Sequence, residues 1–219
     1  MSKTGVIISG GSINDAFTLE MLRQLEPEYL IGVDSGLSFL YRNQVMPTHI
    51  VGDFDSVEPQ VIAYYKAKTD IPIREFHPVK DATDTEIALR MAIELGVQKV
   101  WIFGATGTRL DHVLSNIHIL KIAHDAGVEA YLVDECNRIS LWGGQIRILK
   151  SEEFGNYFSI FPFSGPVENV SIVGAKYPLV NYRVSADESR CVSNEIVDEE
   201  VLITFSEGLL ILMETRDKG

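Results

Sequence analysis

The sequence predicts an α/β N-terminal domain with a mostly parallel sheet, followed by an all-β sandwich C-terminal domain. Two contrasts in patterning carry this. Up to Asp134, short β-branched runs alternate with longer helical patterns, as in a parallel sheet covered by helices. Beyond residue 135 the helical periodicity stops, and short alternating segments separated by turns take over. The 219-residue chain, 46% hydrophobic and 23% charged, has the composition of an ordinary globular protein that folds throughout.

In order, the strands of the first part are expected at residues 6–9, 29–33, 49–51, 73–76, 100–103 and 130–133. Helices lead back to each next strand. Thr83 and Glu86 form a capping-box pattern before Ile87. Leu110, Val113, Leu114, Ile117 and Leu120 recur at helical spacing and predict one apolar helix face. In the second part, residues 139–142 and 146–149 around Gly143-Gly144 read as a hairpin. Residues 201–205 and 209–214 around Ser206-Glu207-Gly208 read as another. Segments 157–161, 170–173, 182–185 and 193–197 complete the expected sandwich. The domains are expected at 1–134 and 135–219, with no internal repeat or Pro-rich linker between them.

Charge narrows the function. A formal net charge of -12 and a pI near 4.8 give a field that repels phosphate backbones, so neither nucleic acid nor an acidic membrane is an expected partner. An anionic substrate then needs a metal. No run approaches the roughly 20 apolar residues of a membrane span, and residues 5–9 are too short for a signal-peptide core, so a cytoplasmic location is expected. Cys136 and Cys191 lack the spacing of a metal knuckle or redox pair and are expected to be inert core thiols.

The chemical signal lies in the acids. In an open parallel sheet, ligands bind beyond the carboxyl ends of the strands, where the following loops gather. Asp34 ends the second strand, and Asp53 and Asp55 follow the third, where an extended backbone would turn both carboxylates to one side. Asp81 and Asp84 follow the fourth, and Arg109 and Asp111 the fifth. Any one of these reads as an ordinary loop or capping acid, Asp84 above all. The set does not, because like charges about 4 Å apart cost about 4 kcal/mol per pair at an effective dielectric near 20. A cation holds such a set together, and hard oxygens without zinc-type His or Cys spacing select magnesium. His49, His77, His118 and His124 read as structural or exposed, whereas His112 adjoins the acidic motif. Two glycine-containing turns, Gly10-Gly11 and residues 104–107, are expected to offer backbone donors to phosphates, although neither is a Walker or Rossmann motif. Arg109 adds a fixed charge suited to phosphate.

These residues resemble a known family. Gly-Asp-Phe-Asp-Ser at 52–56, Lys-x-x-Thr-Asp at 80–84, Gly-x-x-x-x-Arg-Leu-Asp-His at 104–112 and Asn116 are similar to motifs of the thiamine pyrophosphokinases. Gly-Ala-Lys-Tyr-Pro-Leu at 174–179 and Ser-Asn-Glu at 193–195 resemble the family's C-terminal motifs, so the likeness spans both parts. Thr108 stands where the family often has a second glycine, and Ser35 where many members have glycine. The resemblance implies a magnesium-dependent transfer of diphosphate from ATP to the alcohol of thiamine, in a homodimer whose sites combine the two domains from different subunits. It implies Asp53, Asp55 and Asp84 as magnesium ligands, supported by Asp34 and Asp81. It implies nucleotide contacts from Gly11, Lys80, Asp81, Thr83, Arg109, Asp111, His112 and Asn116, and thiamine contacts from Ser193 and Asn194 beside a stacking aromatic. Asp34 or Asp84 is then the candidate proton acceptor. Two rivals use the same residues: a metal-dependent nucleotide phosphohydrolase, against which the additional β domain argues, and a non-catalytic thiamine- or nucleotide-binding module, against which the intact acids argue.

Overall fold

A computed structural model describes residues 3–68, 71–75, 81–107 and 109–218. The chain divides into two compact units, Met1–Glu135 and Cys136–Gly219.

The first unit carries strands β1 (Thr4–Ile8), β2 (Tyr29–Val33), β3 (His49–Gly52), β4 (Ile73–Glu75), β5 (Lys99–Phe103) and β6 (Glu129–Val133). Its helices are α1 (Asp15–Leu25), α2 (Gly36–Arg42), α3 (Pro59–Lys66), α4 (Asp84–Glu94) and α5 (Leu110–Asp125). Hydrogen bonding orders the strands β4-β3-β2-β1-β5-β6, each pair parallel. Strands covered on both faces read as continuous apolar runs, and Gly5 to Ile8 of β1 and Leu30 to Val33 of β2 are buried without interruption. The chain's direction of progress across the sheet reverses between β1 and β5, which opens a crevice at their carboxyl ends.

Local chemistry starts the helices. The Asn14 side chain accepts from Phe17 N at the head of α1, and Pro59 occupies the first turn of α3, where no N–H is needed. Thr83 caps α4 by accepting from Glu86 N at 3.2 Å. The capping box is only half made, because the Glu86 carboxylate instead accepts from Arg90 Nε and Nη2. The predicted apolar face of α5 also needs correction. Ile117, Ile119, Leu120 and Ala123 are buried, whereas Leu110 and Leu114 are 78% and 55% exposed. Packing thus begins one turn into the helix, and its first turn is left at the crevice.

The second unit carries β7 (Asn137–Trp142), β8 (Ile146–Leu149), β9 (Tyr157–Pro162), β10 (Val167–Val173), β11 (Leu179–Val184), β12 (Glu200–Thr204) and β13 (Leu210–Thr215). Strands β7, β13 and β9 form one antiparallel layer, and β11, β10, β12 and β8 form the other. Ile146 and Ile148, Phe158 and Ile160, Val201 and Ile203, and Leu210 and Leu212 meet in its core at the spacing of alternate strand residues. Neither expected hairpin exists: β7 pairs with β13 while β8 pairs with β12, and β12 and β13 lie in different layers. Both glycine turns therefore carry the chain from one layer to the other. Residues 193–197 are no strand either. Only single bridges occur there, Phe158 to Asn194 and Ala175 to Ile196, since Ser193 has a left-handed φ of 57° that interrupts extended backbone. Among the described residues no helix is long and apolar enough to cross a membrane.

Candidate active site

A cavity of about 710 Å³ opens at the β1/β5 reversal. Asp34 enters it from the end of β2, Asp53 from the loop after β3, and Thr83, Asp84 and Thr85 from the head of α4. Gly11 and the 104–107 turn form another wall, and Arg109, His112 and Asn116 enter from α5 and its approach. Eight of the predicted residues are therefore brought together: Asp34, Asp53, Asp84, Gly11, Thr83, Arg109, His112 and Asn116. Asp55, Asp81 and Asp111 are exposed and outside the lining. Lys80, His77 and Thr108 lie outside the described residues.

Asp34 is the centre of the acid group. Its backbone is left-handed, φ 42°, and Oδ1 accepts from Asp53 N at 3.2 Å and Phe54 N at 3.3 Å. The carboxylate can lie across the end of β3 because Gly52 has no side chain; a Cβ there would collide with Asp34 Oδ1. Burial pushes the Asp34 carboxyl up to about 7, helped by a hydrogen bond to Asp84 and by the charges of Asp84 and Asp53, against a Phe54 N–H that favours the anion. The loop after β3 departs from the extended reading. Phe54 is left-handed, φ 63°, and buried, so Asp53 and Asp55 do not share one face as they would on a strand. Asp53 instead uses Oδ1 to accept from Asp55 N at 3.2 Å.

The glycine turns also behave differently from expectation. Gly11 N donates to Gly104 O at 2.7 Å and Ser12 N to Thr106 O at 2.9 Å, so these two donors zip the turns together instead of facing a ligand. A Cβ at Gly11 would strike the same carbonyls of Gly104 and Thr106. Asn116, buried on α5, donates Nδ2 to Ala105 O at 2.8 Å and pins the second turn from below. Arg109 is exposed, with Nε and Nη2 on the Asp111 carboxylate at 3.2 and 2.6 Å. The guanidinium hydrogen-bonds hold Asp111 down at about 2. A phosphate reaching Arg109 competes with that carboxylate.

In the second unit, Asn194 is buried and largely committed within the chain. Its Oδ1 accepts from Tyr177 N at 2.9 Å and Glu195 N at 3.0 Å, and Nδ2 donates to Tyr177 O at 2.8 Å. One amide N–H is left for a ligand. Asn194 thus positions Tyr177, which lines a second cavity of about 320 Å³ with Lys176, Leu179 and Arg190. Ser193 is exposed outside that lining, and its N–H donates to Ser159 Oγ at 3.0 Å. Cys191 lines the same cavity and belongs to the core, where burial pushes its thiol up to about 11, whereas Cys136 is only half-buried and departs from the expected core position.

Among the described residues no group of three or more His, Cys, Asp or Glu side chains is arranged to hold a metal by itself. The acids fit an ion that takes one or two carboxylates and completes its shell with phosphate and water, as magnesium does. That fit rests on Asp34, half-buried beside Asp84 and Asp53 in the same cavity, a set of acids whose mutual repulsion a cation would relieve.

An open parallel α/β unit with acids gathered at its topological reversal, joined to a two-layer antiparallel unit, defines the class: a two-part protein whose acids line a cavity at the carboxyl ends of a parallel sheet. Residues 24–132 match the family described as Thiamin pyrophosphokinase, catalytic domain, and residues 144–210 match Thiamin pyrophosphokinase, vitamin B1 binding domain. The chain is 32% identical over 187 residues to a thiamine pyrophosphokinase of Bacillus subtilis (strain 168), covering 85% of this chain and 87% of that one. A crystal structure of thiamine pyrophosphokinase from Bacillus subtilis superposes with a TM-score of 0.88 at 32% identity, over 99% of this chain and all of the other. One of thiamin pyrophosphokinase from Geobacillus thermodenitrificans gives 0.84 at 31%, over 99% of each. The chain belongs to the thiamin pyrophosphokinase family, a family of enzymes.

Proposed function

We propose that the protein transfers diphosphate from ATP to the hydroxyl of thiamine, giving thiamine diphosphate and AMP, with magnesium as the metal. The observation that carries this reading is the first cavity, where Asp34, Asp53 and Asp84 face two interlocked glycine turns and Arg109 in a space sized for a nucleotide. Asp53 and Asp84, with Asp55 from the same loop as Asp53, would hold the ion. Bound magnesium supplies positive charge against phosphate oxygens. Arg109 leaves Asp111 to pair with the phosphates, and His112 and Asn116 border the nucleotide with Gly11 and Thr83. Lys80, Asp81 and Asp111 are assigned to the nucleotide from the family motif.

The thiamine oxygen attacks the β-phosphorus in line. Its bond to phosphorus forms as the α–β bridging oxygen departs with AMP, and the alcohol proton passes to Asp34 or Asp84. The chain's own contribution is mostly positioning, through the pinned turn and the fixed acids. The acidic crevice also attracts the permanent positive charge of the thiazolium ring. In the second unit we assign thiamine contacts to Ser193 and Asn194, with Tyr177 as the stacking aromatic, because Asn194 holds it by both backbone groups. We further infer a cytoplasmic homodimer in which Ser193 and Asn194 serve the partner subunit's acids. Product analysis tests the reading: thiamine plus Mg-ATP yields AMP and thiamine diphosphate in equal amounts. ADP with thiamine monophosphate would overturn it.

A further inference from the structure

Ser9 directly follows β1 at the floor of the crevice and is 1% exposed. Its backbone N–H donates to Phe103 O at 2.8 Å, which ties it to the end of β5. Its hydroxyl lies 2.9 Å from Thr85 Oγ1. Thr85 stands in the first turn of α4, directly after Asp84, and both hydroxyls line the same cavity as the acids. Thr83 caps this helix internally through Glu86 N, so that contact sets no orientation against the sheet. Among the described residues, the Ser9–Thr85 hydroxyl pair ties the head of α4 to the residue after β1 through side chains that are not themselves acids.

Successive helical residues differ by about 100° in direction, so fixing Thr85 fixes where Asp84 points. We propose that the Ser9–Thr85 hydroxyl pair is a positioning device, which aims Asp84 at Asp34 and Asp53 and so sets cation affinity and the rate of transfer instead of nucleotide affinity. The proposal deepens the function argued above and rests on it for the rate.

The variants Ser9→Ala, Thr85→Val, Thr85→Ser and the double Ser9→Ala/Thr85→Val test it, each followed by kcat, KM for ATP, thermal midpoint and Mn²⁺ affinity by calorimetry without substrate. Thr85→Val leaves a buried hydroxyl without a partner, whereas the double variant removes both polar groups and recovers thermal midpoint. The expected result is about a tenfold loss of kcat and several-fold weaker Mn²⁺ binding in both Thr85→Val and the double variant, with KM for ATP within about twofold. Thr85→Ser restores both values. If the pair only stabilises the fold, activity returns with stability in the double variant, and the proposal is overturned. A rise in KM for ATP at unchanged kcat overturns it in favour of direct nucleotide contact. Should the wild type not transfer diphosphate at all, the Mn²⁺ affinities decide alone: equal values in wild type and Thr85→Val overturn the positioning role.

Discussion

At the residue scale, Asp53 and Asn116 do different work behind the same wall. Asp53→Asn removes a carboxylate assigned to the cation, so kcat should fall at least about a hundredfold with thermal midpoint unchanged. A near-normal kcat at saturating magnesium would remove Asp53 from the ligand set. Asn116→Ala frees the Ala105 carbonyl and the turn it holds, which should raise KM for ATP and lower kcat together, whereas a purely structural loss would shift only the thermal midpoint. The strand-end acids were legible because parallel-sheet topology fixes where loops go, whatever their conformation. The extended loop expected at Asp53 to Asp55 and the free donor expected at Gly11 are not legible in the same way, because conformation decides them. The left-handed Phe54 turns the loop, and the Gly104 carbonyl consumes the Gly11 N–H, neither of which a residue pattern records.

At the scale of elements, the parallel half was legible nearly strand for strand, since buried strands between amphipathic helices leave a strong periodic contrast. The β half was legible as strands but not as pairings. A strand alternates in the same way whether its neighbour lies beside it or in the opposite layer, so β7–β8 and β12–β13 passed for hairpins. Glu214 shows what real pairing demands. It sits opposite Arg138 across β13 and β7, nearly buried, and accepts from Nη2 at 2.6 Å and Nε at 2.7 Å. Arg138→Ala should cost about 3–5 kcal/mol in denaturant unfolding, because the carboxylate is left alone, and Arg138→Met/Glu214→Leu should recover most of it. In the first unit, Asp15 on α1 receives Arg42 and Asn43 from the end of α2. The Arg42 hydrogen bonds lower its carboxyl from 3.8 to about 2, so the contact stabilises above pH 4 and is lost as pH falls through 2. The gap in thermal midpoint between wild type and Asp15→Asn should be open at pH 6 and close between pH 4 and 2.

At the scale of the whole molecule, the acids and the Asn194-held Tyr177 belong to different units, and the proposed homodimer joins them across subunits. Asp53→Asn and Ser193→Trp should each be nearly inactive alone. After subunit exchange, about half the dimers are mixed and carry both defects in one site, so about a quarter of wild-type activity should return. No recovery after confirmed exchange would place each site within one chain. The central claim, that thiamine rather than water accepts the diphosphate, is met most directly by running the reaction in ¹⁸O-enriched water and reading the products by mass spectrometry and ³¹P NMR. Attack by the thiamine oxygen puts no solvent oxygen into either product, so AMP and thiamine diphosphate should form one for one without label. Label in AMP or in free pyrophosphate would show water as the acceptor and contradict the account.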